Sequence, residues 1–265
     1  IFYNNDKISF VGANLETLYT HDFPFSIHHI TPDGHGNLFM STDNGLVIVR
    51  IQKGVINTLL YNPNPENNQD NYSCREIYKL DKNTLIVNTN QCRQVVNLRT
   101  GKSEKLPTLN VNGQNDFILS ILRDKQGTLW FGEQQLVTTD LVTKVNRSYF
   151  ANYETRIWSM TEYKQGLLLG FEKKGIGYFD KSKGSINYFD GKQPQELASA
   201  TVYDFIKLKD KVFIASSSGL YILDNNGDIK QIPYPVGQKK ATYDINIFDK
   251  KQANMLSLST EEGIL

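Results

Sequence analysis

The sequence has little of several features that mark common classes of protein. Its 265 residues include only two cysteines and four histidines. Cys74 and Cys92 lack the CxxC spacing and the paired histidines of a zinc site. No apolar run approaches the roughly 18 residues of a membrane span, and the N-terminus lacks the charged and apolar regions of a signal peptide. We therefore expect a soluble domain, with any targeting segment or membrane span in a longer parent protein.

An excess of charge of either sign is also missing. The chain has 29 Lys and Arg residues against 28 Asp and Glu residues, which gives a net charge of +1. Without a basic field, long-range attraction to nucleic acid or to an anionic membrane is absent, so neither is expected as a partner. Hydrophobic residues make up 39% of the chain and charged residues 22%. This composition is sufficient for a folded core, and single all-β domains commonly reach this length.

The sequence does contain an internal repeat. Its clearest copy, residues 27–46, has an apolar pair, a polar turn containing glycine, a strand, a second polar turn, and Gly followed by an aliphatic residue. Equivalent strand residues recur 39 to 47 positions apart, at Leu38, Leu85, Leu129, Leu168, Val212 and Leu256. Between the copies lie short β-rich pieces that end in turns of Asn, Asp, Lys or Gly. Four short strands per period predict a β-propeller.

The two ends of the chain together complete one further copy. Residues 263–265 followed directly by residues 1–8 align with residues 219–229. We therefore predict one all-β propeller domain over residues 1–265, with six four-stranded blades. The N-terminal and C-terminal strands would pair and protect two open sheet edges. Seven blades, or part of a larger propeller array, are the alternatives.

We expect residues on equivalent second strands to be mostly buried between neighbouring blades. The residues expected to be buried in this way are Phe39, Ile86, Trp130, Leu169 and Phe213.

Two copies of the repeat match a known consensus. Residues 33–46 and 124–132 resemble the two-component regulator propeller repeat, whose consensus is roughly D-x-x-G-x-L-W-[IF]-G-T-x-x-G-[LI]. Residues 124–132 match its first nine positions, and residues 33–46 depart from it at Phe39, Met40 and Ser41. The resemblance implies the periplasmic or extracellular-facing sensor region of a membrane-anchored hybrid histidine kinase, often one that senses polysaccharide breakdown products. That family commonly has two seven-bladed rings, whereas this chain has repeats for one, so it is a fragment or a stand-alone member. Any kinase activity would belong to the rest of the parent, because neither an ATP-binding box nor a phosphoacceptor helix occurs here.

The histidines and acidic turns have simpler explanations than metal binding. His28 and His29 are adjacent in a strand and point to opposite faces, and His35 lies in a turn. Residues 33–37 and 224–228 superficially look like calcium loops, but each lacks the downstream bidentate glutamate. We expect turn chemistry at both, with no metal and no cofactor.

The cysteines are expected to be structural. Cys74 takes a position that other copies give to Ile or Val, which predicts a buried, unreactive thiol. A disulfide between Cys74 and Cys92 stays open, although an intervening strand would hold their strands about 10 Å apart.

A ligand site is expected where the blade-to-blade connections and the turns between second and third strands emerge, by analogy with other propellers. Aromatic and amide side chains in these connections suit a sugar or a peptide, which needs stacking faces and hydrogen bonds. The candidate ligand-binding residues near the ends of the first strands are His28, Arg75, Arg156, Trp158 and Tyr203. For each of them the alternative is ordinary packing or solvation.

Three functions compete at this point. The first is a sensor module that binds a small extracellular ligand, either an oligosaccharide or a peptide. The second is a protein-interaction or dimerisation propeller without a small ligand, including a homodimer formed through the parent protein. The third is a propeller lyase or glycosidase, which is disfavoured because no pair of carboxylates maps to the first strands and no catalytic residue is predicted.

Overall fold

The structure of the chain is a computed structural model. It describes residues 2–4, 6–11, 17–32, 36–50, 55–61, 74–89, 92–107, 118–151, 155–189, 192–233, 241–247, 256–260 and 263–264. The chain divides into two compact units, one formed by residues 1–118 and 140–146 and the other by residues 119–139 and 147–265. In the described residues, no helix is both long and apolar enough to cross a membrane.

The first unit contains three antiparallel sheets in which strands follow one another in chain order. The first sheet comprises β1 (Phe2–Asn4), β2 (Lys7–Val11) and β3 (Thr17–Asp22). The second comprises β4 (Ile27–Pro32), β5 (Asn37–Thr42), β6 (Gly45–Arg50) and β7 (Val55–Tyr61). The third comprises β8 (Cys74–Lys79), β9 (Thr84–Thr89), β10 (Arg93–Asn97) and β11 (Ser103–Lys105).

The second unit repeats the same arrangement. Its first sheet comprises β12 (Ser120–Arg123), β13 (Leu129–Gly132), β14 (Gln135–Thr139) and β15 (Asn146–Ala151). The next comprises β16 (Ile157–Tyr163), β17 (Gly166–Phe171), β18 (Ile176–Asp180) and β19 (Ser185–Tyr188). A short helix, α1 (Gln195–Ala198), precedes the sheet of β20 (Val202–Leu208), β21 (Lys211–Ser216), β22 (Gly219–Leu223) and β23 (Ile229–Gln231). The last sheet comprises β24 (Thr242–Ile247), β25 (Leu256–Thr260) and β26 (Gly263–Ile264).

The all-β propeller fold predicted from the repeats is confirmed. Every sheet is an antiparallel meander, and first strands of neighbouring sheets contact each other within each unit, as β4 does with β8 and β16 with β20. The second strands form the core. Phe39, Ile86, Trp130 and Leu169 are at most 3% exposed, as expected, whereas Phe213 is partly buried against a smaller cluster.

The structure differs from the six four-stranded blades that the repeats predict. The described residues form seven sheets, of which five have four strands and two have three. The predicted pairing of the chain ends into one blade is not among the described strand pairs: β1 to β3 pair with one another, and β24 to β26 do the same.

The predicted pairing of the chain ends fails for a physical reason. The alignment of residues 1–8 with the copy at 219–229 placed them at a turn between third and fourth strands. In the structure, the hairpin of β1 and β2 is followed by one more paired strand, β3, so this hairpin takes the place of second and third strands. Both kinds of turn use Asn, Asp, Lys and Gly, and composition does not separate them.

Two glycines bring neighbouring sheets of the second unit close together. A Cβ on Gly132 would lie 2.8 Å from Ile157 Cγ2, and one on Gly170 would lie 2.7 Å from Val202 Cγ1. Ile157 and Val202 are both fully buried at the start of the next first strand. The glycines therefore let the first residue of each following first strand pack against the preceding sheet.

Candidate functional site

The first strands share an irregularity at one position. In β4, Ile27 pairs with Thr42 and His29 pairs with Ser41, so His28 is left as an extra, unpaired residue. Such a β-bulge turns a side chain away from the regular alternation of the strand, and bulges are common beside functional sites. A β-bulge occurs at the same position of four other first strands, at Arg75, Trp158, Tyr203 and Tyr243.

The bulge has a consistent cause in the sequence. The residue before each bulge is apolar or small and fully buried, as Ile27, Cys74, Ile157 and Val202 show. Core packing fixes that residue, and the ladder resumes one residue later. The side chain between these two constraints is left outside the core, and His28, Arg75, Trp158 and Tyr203 are all only partly buried.

Backbone hydrogen bonds tie the start of the first strand to the turn between second and third strands. The N–H of Glu172 donates to the carbonyl of Arg156 (2.9 Å), and the N–H of Asp43 donates to the carbonyl of Ser26 (3.1 Å). The two kinds of connection therefore emerge at one end of the sheet, as expected from the sequence. The bulged residues lie at this end.

In the first unit, the bulged residues form a charged cluster. His28 Nε2 lies 2.7 Å from Asp43 Oδ1, and Arg75 Nη1 lies 3.3 Å from His28 Nε2 and 3.4 Å from His28 Nδ1. Burial lowers the pKa of His28, and the charge of Arg75 lowers it further against the opposing effect of Asp43. Burial alone would raise the pKa of Asp43, but hydrogen bonds from His28 and Ser26 bring it below its usual value.

The direction of these shifts favours a neutral His28 beside an ionised Asp43. A neutral His28 has one N–H and one lone pair. The 2.7 Å contact fits a proton on Nε2 that is donated to the ionised Asp43, while Arg75 Nη1 lies almost equally far from both ring nitrogens. The His28 side chain is 21% exposed and that of Asp43 is 46% exposed. The cluster therefore presents an oriented imidazole, a carboxylate and a guanidinium at the end of the sheets.

In the second unit, the bulged residues form an aromatic pair. The rings of Trp158 and Tyr203 meet edge to face, with centroids 5.7 Å apart. Arg156 lies two residues before Trp158, and its carbonyl accepts the N–H of Glu172 from the adjacent turn. The structure thus brings Trp158 and Tyr203 into contact and separately brings together His28 and Arg75, while Arg156 is near Trp158 in the chain.

Sequence reasoning missed Asp43. The turn that contains it was recognised, but its contact with His28 depends on the bulge, which no local pattern reveals. A second missed carboxyl is Glu76 in β8, whose pKa is raised by burial.

The remaining candidates are structural. Cys74 and Cys92 are free and buried, so the expected buried thiol is confirmed for Cys74, and burial raises its pKa well above the usual range. In the acidic turn at 224–228, the N–H groups of Asn226 and Asp228 donate to Asp224 Oδ1, as turn chemistry requires. Within the described part of the chain, no group of three His, Cys, Asp or Glu residues could hold a metal. Residues 33–35 lie outside that part.

Comparison with known proteins gives a local sequence match and a global structural one. Residues 112–134 match the family described as "Two component regulator propeller", which confirms the resemblance found in the sequence. No curated protein matches the chain.

Solved propellers share the fold. The extracellular domain of the putative one component system BT4673 from B. thetaiotaomicron is 16% identical, with a TM-score of 0.71 over 90% of this chain and 32% of that one. That of the putative hybrid two component system BT3049 from the same organism is 17% identical, with a TM-score of 0.68 over 90% and 33%. PorZ of Porphyromonas gingivalis, a surface component of the type-IX secretion system, is 11% identical, with a TM-score of 0.64 over 98% and 34%. The chain spans about a third of each of these structures.

Proposed function

We propose that this chain, which carries a two component regulator propeller repeat at residues 112–134, is an extracytoplasmic sensor propeller of a two-component signalling protein. The repeat and the fold shared with extracellular domains of such systems support this proposal. The chain corresponds to about a third of those domains, so the membrane anchor and the signalling output are proposed for the rest of the parent.

The observation that carries the binding role is the recurrent bulge. The same irregularity recurs at the same end of five first strands. In four of these strands the bulge presents one partly exposed side chain, and these side chains are large and able to recognise a ligand: His28, Arg75, Trp158 and Tyr203. Binding groups held on strands are positioned more firmly than those on loops.

The proposed ligand is a fragment of an oligosaccharide. The edge-to-face pair of Trp158 and Tyr203 offers aromatic surface for the apolar face of a sugar ring, and Arg156 adds a planar set of hydrogen-bond donors. In the first unit, Arg75, His28 and Asp43 offer both donors and acceptors for hydroxyl groups. These groups suit binding rather than hydrolysis, because the carboxylate of Asp43 is already committed to His28.

Calorimetric titration of the chain with a panel of oligosaccharides tests the proposal. We expect Trp158→Ala and Arg156→Ala each to weaken the binding of a sugar by about tenfold or more, since stacking and charged hydrogen bonds are each of the order of 1 to 3 kcal/mol. Arg147→Ala is the matched control, because Arg147 is exposed on the outer strand β15 and should not alter binding.

Two results would contradict this site. One is a sugar that binds equally well to the wild type and to both variants. The other is protection from hydrogen exchange at the opposite end of the sheets, for instance at the Lys164–Gln165 turn, with none at the bulges. Either outcome would favour the interaction propeller without a small ligand.

A further inference from the structure

One face of the third sheet of the first unit holds a row of polar side chains. Glu76 in β8 is directly opposite Asn88 in β9, and Asn88 is directly opposite Arg93 in β10. Side chains of directly opposed residues point to the same face of a sheet. Ile77 and Val87, the chain neighbours of Glu76 and Asn88, point to the other face and pack in the core cluster shared with the second sheet. The polar row therefore faces away from the second sheet.

The amide of Asn88 is fully buried and only half satisfied. Its Nδ2 donates to the carbonyl of Ile118 (2.8 Å), and the reverse orientation of the amide would bring two acceptors together. In the described part of the chain, Asn88 Oδ1 has no hydrogen-bond partner. A buried acceptor without a donor is costly, so a donor is expected beside it.

Glu76 can supply this donor when it carries a proton. An ionised carboxylate only accepts hydrogen bonds, whereas a carboxylic acid has one O–H to donate. The Cβ atoms of directly opposed residues are about 5 Å apart, a gap that a glutamate side chain can bridge. On the other side of Asn88, Arg93 Nη2 donates to the carbonyl of Pro107 and lies 3.5 Å from Asn146 Oδ1.

The surroundings of Glu76 have opposing effects on its charge. Burial raises the pKa of Glu76, and His29 of β4 lowers it by a smaller amount. Arg75 precedes Glu76 in β8, and Arg93 lies two strands away, about 10 Å. Burial raises the pKa of Cys74 well above the usual range, so this thiol adds no charge. β5 and β9, which also pack against β8, contain no titratable side chain.

We propose that Glu76 binds a proton in the folded chain and donates it to Asn88 Oδ1, so that the third sheet contains a pH-sensitive hydrogen bond beside its bulge. Loss of the proton leaves two acceptors opposite each other without a donor and weakens the row that holds Ile118. Because Glu76 directly follows the bulged Arg75, ionisation also adds a negative charge beside the candidate ligand-binding residues. The proton site itself does not depend on sugar binding.

Urea unfolding between about pH 5 and pH 8, with Glu76→Gln as the reference, tests the proton. Glutamine keeps the shape of the neutral acid and can donate to Asn88 at every pH. The unfolded chain has an ordinary glutamate with a pKa of 4.5, so the folded state binds the proton more tightly. Relative to Glu76→Gln, the folding equilibrium constant of the wild type should fall by up to about tenfold per pH unit until the pH passes the folded-state pKa.

Glu104→Gln is the matched control for this titration. Glu104 is 67% exposed on β11, the outer strand of the same sheet, where water solvates its charge. Its pH profile should run parallel to that of the wild type. Parallel profiles of the wild type and Glu76→Gln would instead show that folding does not hold a proton on Glu76, and would overturn the proposal.

Infrared spectroscopy of the folded chain tests the acceptor. Above pH 4.5 the wild type should show a carboxylic acid C=O band that Glu76→Gln lacks; absence of this band would also overturn the proposal. In Asn88→Leu, which keeps a similar size without the acceptor, the band should move to higher wavenumber because the acid loses its hydrogen bond. An unmoved band would exclude Asn88 as the acceptor. Circular dichroism verifies folding, and the comparisons with Glu76→Gln remain decisive if Asn88→Leu does not fold.

Discussion

The two tryptophans of this chain occupy opposite kinds of environment in the same unit. Trp130, on the second strand β13, is 3% exposed, packs against Tyr149 and Phe179, and donates its indole N–H to Asp124 Oδ2 (2.8 Å). Trp158, at the bulge of β16, is partly exposed and contacts Tyr203. Second strands are committed to the core, and the bulges are available for recognition.

The largest expected effect is at the packed tryptophan. Trp130→Ala should lower the free energy of unfolding by about 3 to 5 kcal/mol, because it empties a large buried site and leaves the buried Asp124 with fewer partners. Lys181 also bonds to Asp124 (2.6 Å), so the carboxylate stays partly satisfied. Urea denaturation measures the loss. A change below about 1 kcal/mol would show that Trp130 does not anchor the core.

A second effect concerns the packing behind the bulges. Gly170→Ala should destabilise the protein by about 1 to 3 kcal/mol, because the new methyl group would overlap Ser159 and Val202. Adding Val202→Ala should make room, so the double variant should lose less than the sum of the two single variants. Strict additivity in thermal or urea unfolding would argue against this contact.

The histidine at the bulge of β4, His28, should make the free energy of unfolding depend on pH. The pKa of His28 is lowered from 6.5 in the folded protein, so the unfolded chain binds the proton more readily. This contribution to stability is complete above about pH 6.5 and decreases as the pH falls towards the folded-state pKa. Urea unfolding between about pH 5 and pH 7 should show a steeper decline for the wild type than for His28→Gln.

Comparing the wild type with His28→Gln removes the contributions that other groups make to the pH dependence of stability. Glu76, whose pKa is raised, contributes with the opposite sign but is present in both proteins. The lowered pKa of Asp43 matters only near and below pH 3.8. Parallel pH profiles for the two proteins would mean that His28 is not held in the neutral form by folding.

The smallest effect on stability is expected at the exposed tryptophan. Trp158→Ala should change the free energy of unfolding by less than about 1 kcal/mol, because no packed core residue is removed, while the proposed sugar binding is lost. Chemical denaturation and calorimetry on the same sample check both parts. A stability loss similar to that of Trp130→Ala would place Trp158 in the core and remove it from the site.

Much of the fold could be predicted because the repeated apolar residues are those that pack in the core. Leu38, Leu85 and Leu129 recur where each second strand needs an apolar residue, and all three are buried. The N-terminal hairpin was misplaced because residues 5–6 fit either of two turns. The five candidate residues were chosen for their expected place near the ends of first strands, and four of them lie at bulges. The bulge itself depends on cross-strand register, and the contact of Asp43 with His28 depends on the bulge.

The unpaired position in these five first strands also has a consequence for engineering. A residue that is opposite no cross-strand partner takes no part in the pairing on either side of it. Codons 28, 75, 158, 203 and 243 could therefore be randomised together while all core codons stay constant. Most members of such a library should keep the parental fold, so that its members would differ mainly in the surface at this end of the sheets.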